Sequence, residues 1–242
     1  MEGEPRPVED FNEVFAAFGD SDEPILLVGG HAVNVWALNY YGRVRSEIVL
    51  HEPLTSSDMD IYATRNALVW LHSELGGKLY SGDPREVVLG AIELKVGKND
   101  LLIEALRSVK GVEDKELEDR ASLFVASHEI LVPLPHVMLK AKLANAVELD
   151  QQDRQDVKHV RLLAIVLREY LIDLARAATE ENERESLRIV REAVEVANSA
   201  NSKKFEEDYG IRFGEYIPLE RLENSTARLA SFARIEYKKR FE

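Results

Sequence analysis

The feature that most restricts the fold is a change of hydrophobic period near residue 135. Upstream, short β-rich runs alternate with amphipathic stretches: "ILLV", "MDIYA", "KLY", "EVVLGAIELKV", "DLLIEALRSV" and "EILVPL" read as strands, "GHAVNVWALNY" and "NALVWLHSEL" as helices. Downstream the period is helical throughout. In "DVKHVRLLAIVLREYLIDLARAA" the residues Val160, Leu163, Leu167, Leu171 and Leu174 recur every three or four positions, and further helices are expected around "ERESLRIVREAVEVA" and "PLERLENSTARLASFARIEY". Pro133 and Pro135 punctuate the change. The expectation is an α/β (α+β) mixed-sheet core over residues 1–134, followed by a helical bundle over residues 135–242.

A chain of 242 residues can bury one large core, or a core and a smaller helical domain. It contains no cysteine, so disulfides and thiolate metal sites are excluded, and a cytoplasmic location is the default expectation. "MEGEPRPVED" lacks the basic and apolar regions of a signal peptide, and charges interrupt every apolar run before membrane-spanning length. No membrane role is expected. The net charge of −13 argues against general nucleic-acid binding. That charge is uneven: residues 1–24 carry eight acids and one base, whereas residues 203–242 carry nine bases and eight acids, among them the run "RIEYKKRFE". The helical tail offers a surface for a homodimer or a protein partner.

At "LLVGGHAVNVWA" an apolar run ends in Gly29 and Gly30 and turns amphipathic. Glycines at a strand-to-helix junction permit a sharp turn and let a phosphate approach the helix N-terminus; an ordinary tight turn is the plainer alternative. One strand later, "SSDMDIYA" carries Asp58 and Asp60. Two residues apart on a strand, they share one face with Cα atoms about 7 Å apart. Carboxylates so placed repel each other unless a cation such as Mg²⁺ lies between them; alternatively Asp58 belongs to a turn and Asp60 is solvated. The sequence has no cysteine nucleophile, Gly-x-Ser-x-Gly elbow, Walker-type loop or dinucleotide fingerprint, and its histidines lack zinc-ligand spacing.

Strand, Gly29-Gly30, amphipathic helix, then a strand opening with Asp58-x-Asp60: this order, over roughly Ile25 to Leu163, resembles the nucleotidyltransferase superfamily related to DNA polymerase beta. The compact prokaryotic members that include AbiEii-type toxins of toxin–antitoxin systems are the most similar in feel. The resemblance implies that Gly29 and Gly30 contact nucleotide phosphates and that Asp58 and Asp60 bind Mg²⁺ or Mn²⁺. It also implies a third acid on a neighbouring strand, Glu104 in "LLIEALRSVKG". Within "LPHVMLKAKLANAVELDQQDRQDVKHVRLL" it implies Lys142 facing the triphosphate and Asp156 near the acceptor as a base. His31 stands where many relatives have a small or hydroxyl residue, and is counted with the nucleotide-binding positions. Glu104 replaces the more usual aspartate. The stretch from Tyr41 to Thr55 is longer than the expected linker, with Arg43 and Arg45 as phosphate-binding candidates in a loop. The implied reaction moves a nucleoside monophosphate from a nucleoside triphosphate to a hydroxyl of RNA, protein or a small molecule. A catalytically weakened nucleotide-binding or regulatory protein of the same fold is the alternative.

Overall fold

The computed structural model describes residues 4–83, 85–96, 99–125 and 127–241; the first three residues of the acidic N-terminus and Glu242 of the basic C-terminal run lie outside them. The chain is a mixed α/β protein whose C-terminal region is helical. It divides into two compact units, Met1–Met138 and Leu139–Glu242, the division falling inside one helix.

The first unit begins with β1 (Arg6–Pro7) and α1 (Asn12–Phe18), then β2 (Leu26–Leu27), α2 (Gly29–Ile48), β3 (Thr55–Ser56), β4 (Met59–Tyr62) and α3 (Arg65–Leu75). It continues through β5 (Lys78–Ser81), β6 (Val88–Val96), β7 (Asn99–Leu106), β8 (Arg120–Val125) and β9 (His128–Pro133). Seven strands form one sheet in the order β5-β6-β7-β4-β2-β9-β8. β4 lies at its middle, parallel to β7 and antiparallel to β2. Burial alternates along β4: Met59 and Ile61 are fully buried, whereas Asp60 and Tyr62 are partly exposed. Period-two patterning of this kind assigns one face to the core and leaves the other for polar groups. α2 buries Ala32, Val33, Val35, Trp36 and Ala37, and the Trp36 indole N–H donates to the Pro133 carbonyl at 2.9 Å, tying the helix to the end of β9.

Several elements differ from the sequence expectations. α2 does not end at Tyr40 but runs to Ile48, because Tyr40, Val44 and Ile48 recur at one-turn spacing and are buried; the helical angles break only at Val44. Arg43 and Arg45 are therefore helical rather than loop residues, and their guanidinium groups lie 5.2 Å and 5.7 Å from the ring centres of Tyr40 and Tyr41. α1 was not anticipated, since seven residues are too few for periodicity to stand out; tertiary burial of Val14, Phe15 and Phe18 holds it.

The helical unit takes the rest of α4 (Pro135–Glu148), then α5 (Asp156–Ala177), α6 (Glu183–Ala197), α7 (Ala200–Tyr209), α8 (Leu219–Glu223) and α9 (Ala227–Ser231). α7 lies in a polar stretch that carries little period. Its start is set by Ser199, whose side chain accepts from the Ser202 amide, and its end by Gly210 in the left-handed conformation. The expected single helix over "PLERLENSTARLASFARIEY" is interrupted at Asn224–Thr226. There Asn224 Nδ2 donates to the Glu220 carbonyl at 2.8 Å and Ser225 Oγ to the Ala175 carbonyl at 2.6 Å, side-chain bonds that compete with helix continuation. No helix among the described residues is long and apolar enough to cross a membrane.

Candidate active site

The register of two parallel strands builds the site. Asp60 of β4 is the direct partner of Glu104 of β7, and Met59 is the partner of the buried Ile103. Paired residues on neighbouring strands project to the same face, with backbones about 4.8 Å apart. Glu104 therefore stands beside Asp60 on the polar face, and Asp58, two residues earlier in the chain, joins them. Asp58, Asp60 and Glu104 each offer a carboxylate oxygen, all within 4.8 Å of one another, and all three residues are partly exposed.

β2 brings the glycine turn to the same point. Leu27 pairs with Ile61, and the Val28 amide donates to the Asp60 carbonyl at 2.9 Å, so the chain reaches Gly29 alongside Asp60. Gly29 has φ +64°, and a Cβ added there would fall on the Asp60 carboxylate. Both conformation and space thus require glycine. Gly30, buried, is the second residue of α2. The open N–H groups and positive dipole end of this 20-residue helix begin at the turn that abuts the carboxylates.

Among the described residues no basic side chain pairs with Asp58 or Glu104; Asp58 Oδ1 accepts only long hydrogen bonds, at 3.4 Å, from the hydroxyls of Ser56 and Ser57. Partial burial, and then the charge of Asp58, push the Glu104 carboxyl above the usual glutamate range. Such oxygen donors, held close with excess negative charge, match the demands of a hard divalent cation. Tyr62 continues the same face two residues beyond Asp60; burial, followed by the charge and hydrogen bond of Asp114, raises its phenol. Sequence reading missed Tyr62, although the i, i+2, i+4 series from Asp58 carries the signal.

The remaining sequence candidates are His31, Lys142 and Asp156. His31 is fully buried, its ring edge-on to Phe11 at 4.7 Å between centres, and burial lowers it to about 4. Among the described residues neither ring nitrogen has a hydrogen-bond partner, and the same holds for the amide of Asn34, one turn along and also fully buried. His31 is thus packed into the core. Lys142 and Asp156, in the helical unit, are joined to each other: Lys142 Nζ lies 2.9 Å from Asp156 Oδ1, and Arg154 Nε lies 2.6 Å from Asp156 Oδ2. Both members of the first pair are buried. Burial alone would raise the Asp156 carboxyl, but Lys142 and Arg154 outweigh it and hold it below the usual aspartate range. A carboxylate so engaged is a poor proton acceptor and a good anchor for Lys142.

No protein-family model matches the chain, and no curated protein does. Among solved structures it is similar to the antibiotic-resistance factor ANT(2'')-Ia determined in solution, at 14% identity and TM-score 0.43, covering 67% of this chain and 83% of that one. It is likewise similar to ANT(2'')-Ia in complex with adenylyl-2''-tobramycin, at 16% identity and TM-score 0.44, covering 70% and 94%. An antigenic nucleotidyltransferase-like protein from Paracoccidioides brasiliensis aligns over 96% of this chain and 95% of that one, at 11% identity and TM-score 0.36.

Proposed function

We propose that the chain is a metal-dependent nucleotidyltransferase that moves a nucleoside monophosphate from a nucleoside triphosphate to an acceptor hydroxyl. The observation that carries this reading is the convergence of Asp58, Asp60 and Glu104 at the Gly29 turn, which joins an acidic oxygen cluster to a helix N-terminus in one place. Asp58, Asp60 and Glu104 would hold Mg²⁺ or Mn²⁺, which when bound supplies positive charge for the oxygens that attack and leave the α-phosphorus. The amides following Gly29 would receive the phosphates, since a side chain there would occupy the approach. Acceptor hydroxyl attack, in line with departure of pyrophosphate, then needs orientation and charge stabilisation rather than a covalent enzyme intermediate. Lys142 is assigned to the leaving group, with Asp156 as its anchor instead of as the base.

The first unit holds 12 bases against 24 acids, a charge of −12, which favours a small-molecule or protein acceptor over a long polyanion. The test is a screen of α-labelled nucleoside triphosphates with Mg²⁺ against tRNA, total cell protein, small hydroxylated amines and the enzyme itself. Label should move to one acceptor and stay put in EDTA. If nucleotide binds with metal but no label moves to any acceptor, the transferase reading fails and a nucleotide-binding protein takes its place.

A further inference from the structure

The helical unit carries a cleft of about 420 Å³ between the end of α5 and the α8–α9 turn. Its polar lining comes from Arg176 and Arg221 with Asn224, Ser225 and Thr226, and no acidic side chain lines it. That is an unusual segregation, because the unit as a whole holds 19 bases against 20 acids. Backbone carbonyls at a helix end normally discourage anions. Here two of those of α5 are already engaged: Ser225 Oγ donates to the Ala175 carbonyl at 2.6 Å, and Asn182 Nδ2 donates to the Ala177 carbonyl at 3.1 Å. Arg176 makes an ion pair with Asp173 at 3.6 Å, but both side chains are exposed, and such a pair within one helix surface costs little to exchange. The adjoining segment already accepts an internal carboxylate: Glu183 takes the Arg228 amide at 2.7 Å and the Arg228 guanidinium at 3.0 Å.

We propose that this cleft is an oxyanion site that takes a phosphate group, with Arg176 and Arg221 as the charge partners and the Asn224 and Ser225 side chains along its wall. Guanidinium groups present paired N–H donors that suit tetrahedral phosphate oxygens. The volume exceeds that of a phosphate ion and falls in the range of small-ligand clefts, so a phosphate monoester of a small molecule fits as well as the free ion.

The test is a titration of the full chain with inorganic phosphate, and separately with glycerol phosphate, at constant ionic strength in EDTA. EDTA keeps divalent cations from drawing phosphate to the carboxylates of the other unit. The readout is the backbone amide resonances of Asn224, Ser225 and Thr226, which line the cleft and remain in every variant, with the arginine Nε–Hε resonances of Arg176 and Arg221 followed in addition in the parent. Saturable shifts with a dissociation constant on the order of 1 mM are expected, weakened about tenfold or more in Arg176→Ala/Arg221→Ala and unchanged in Asp58→Asn. Tighter binding of the monoester assigns the spare volume to an organic group; equal binding assigns the site to the free ion. Shifts that sodium chloride reproduces, or saturation that survives the double substitution, would overturn the proposal. Circular dichroism of the double variant, whose altered side chains are exposed, separates loss of the site from loss of the fold.

Discussion

The two units handle charge in opposite ways. In the helical unit every buried charged group has a partner: Lys142 with Asp156, Glu169 with Arg168, Glu183 with Arg228. The sheet unit crowds Asp58, Asp60 and Glu104 together. Its net charge is −12 against −1 for the helical unit. Buried pairs are expected where charge serves architecture, since removing one partner strands the other. Crowded like charges on one sheet face gain nothing for folding, and the cation of the proposed function would offset their repulsion.

The sharpest way to break this contrast is Asp156→Asn. It leaves the Lys142 ammonium buried without a counter-charge, and should destabilise the protein by about 3–5 kcal/mol at pH 7 in urea unfolding. Because the Asp156 carboxyl is lowered in the folded state, its contribution is present above the unfolded value of about 3.8 and is lost as pH falls through the folded value. The deficit of the variant should therefore shrink below pH 4. A small deficit at pH 7 would mean that the ion pair is not structural.

Gly29→Ala tests the sheet unit next. The positive φ and the Asp60 carboxylate both oppose a Cβ, so this variant should lose about 1–3 kcal/mol of stability and bind nucleotide less tightly. Gly30→Val should reduce nucleotide affinity through steric block at the helix mouth. If both variants bind as the parent does, the glycines form an ordinary turn.

Glu104→Gln gives the smallest effect and the most informative sign. The Glu104 carboxyl is raised in the folded state, so its favourable contribution is full below the unfolded value of about 4.5 and is lost as pH rises through the folded value. In EDTA the variant should consequently equal the parent at pH 4 and be the more stable of the two at pH 7. Adding Mg²⁺ should stabilise the parent more than the variant and reverse the order. A parent more stable than the variant at pH 7 without metal would show that Glu104 is a structural carboxylate.

Much of this arrangement was legible in the sequence, for reasons that particular residues make plain. The alternation through "MDIYA" fixed which residues share a face, and the Gly29-Gly30 junction marked where the chain had to turn tightly. The change to helical period near Pro135 marked the helical region. What could not be read is pairing across distance. Nothing local says that Glu104 stands opposite Asp60, because strand register is a tertiary property, nor that Lys142 faces Asp156 across fourteen residues. His31 follows the glycines in sequence, but helix rotation carries its side chain under Phe11. The extension of α2 to Ile48 was hidden by the Gly42-Arg43 break in apolar run, though the spacing of Tyr40, Val44 and Ile48 supplied the signal.

The central claim, that the three carboxylates form a cation-dependent nucleotide site, is tested most directly by calorimetric titration of nucleoside triphosphate with and without Mg²⁺ into the parent chain, Asp58→Asn and Asp60→Asn. The amide substitutions keep side-chain volume and remove charge. The parent should bind nucleotide about tenfold or more tightly with Mg²⁺ than in EDTA, and both variants should lose that difference while keeping their far-ultraviolet circular dichroism. Magnesium-dependent binding that persists undiminished in both folded variants would contradict the account.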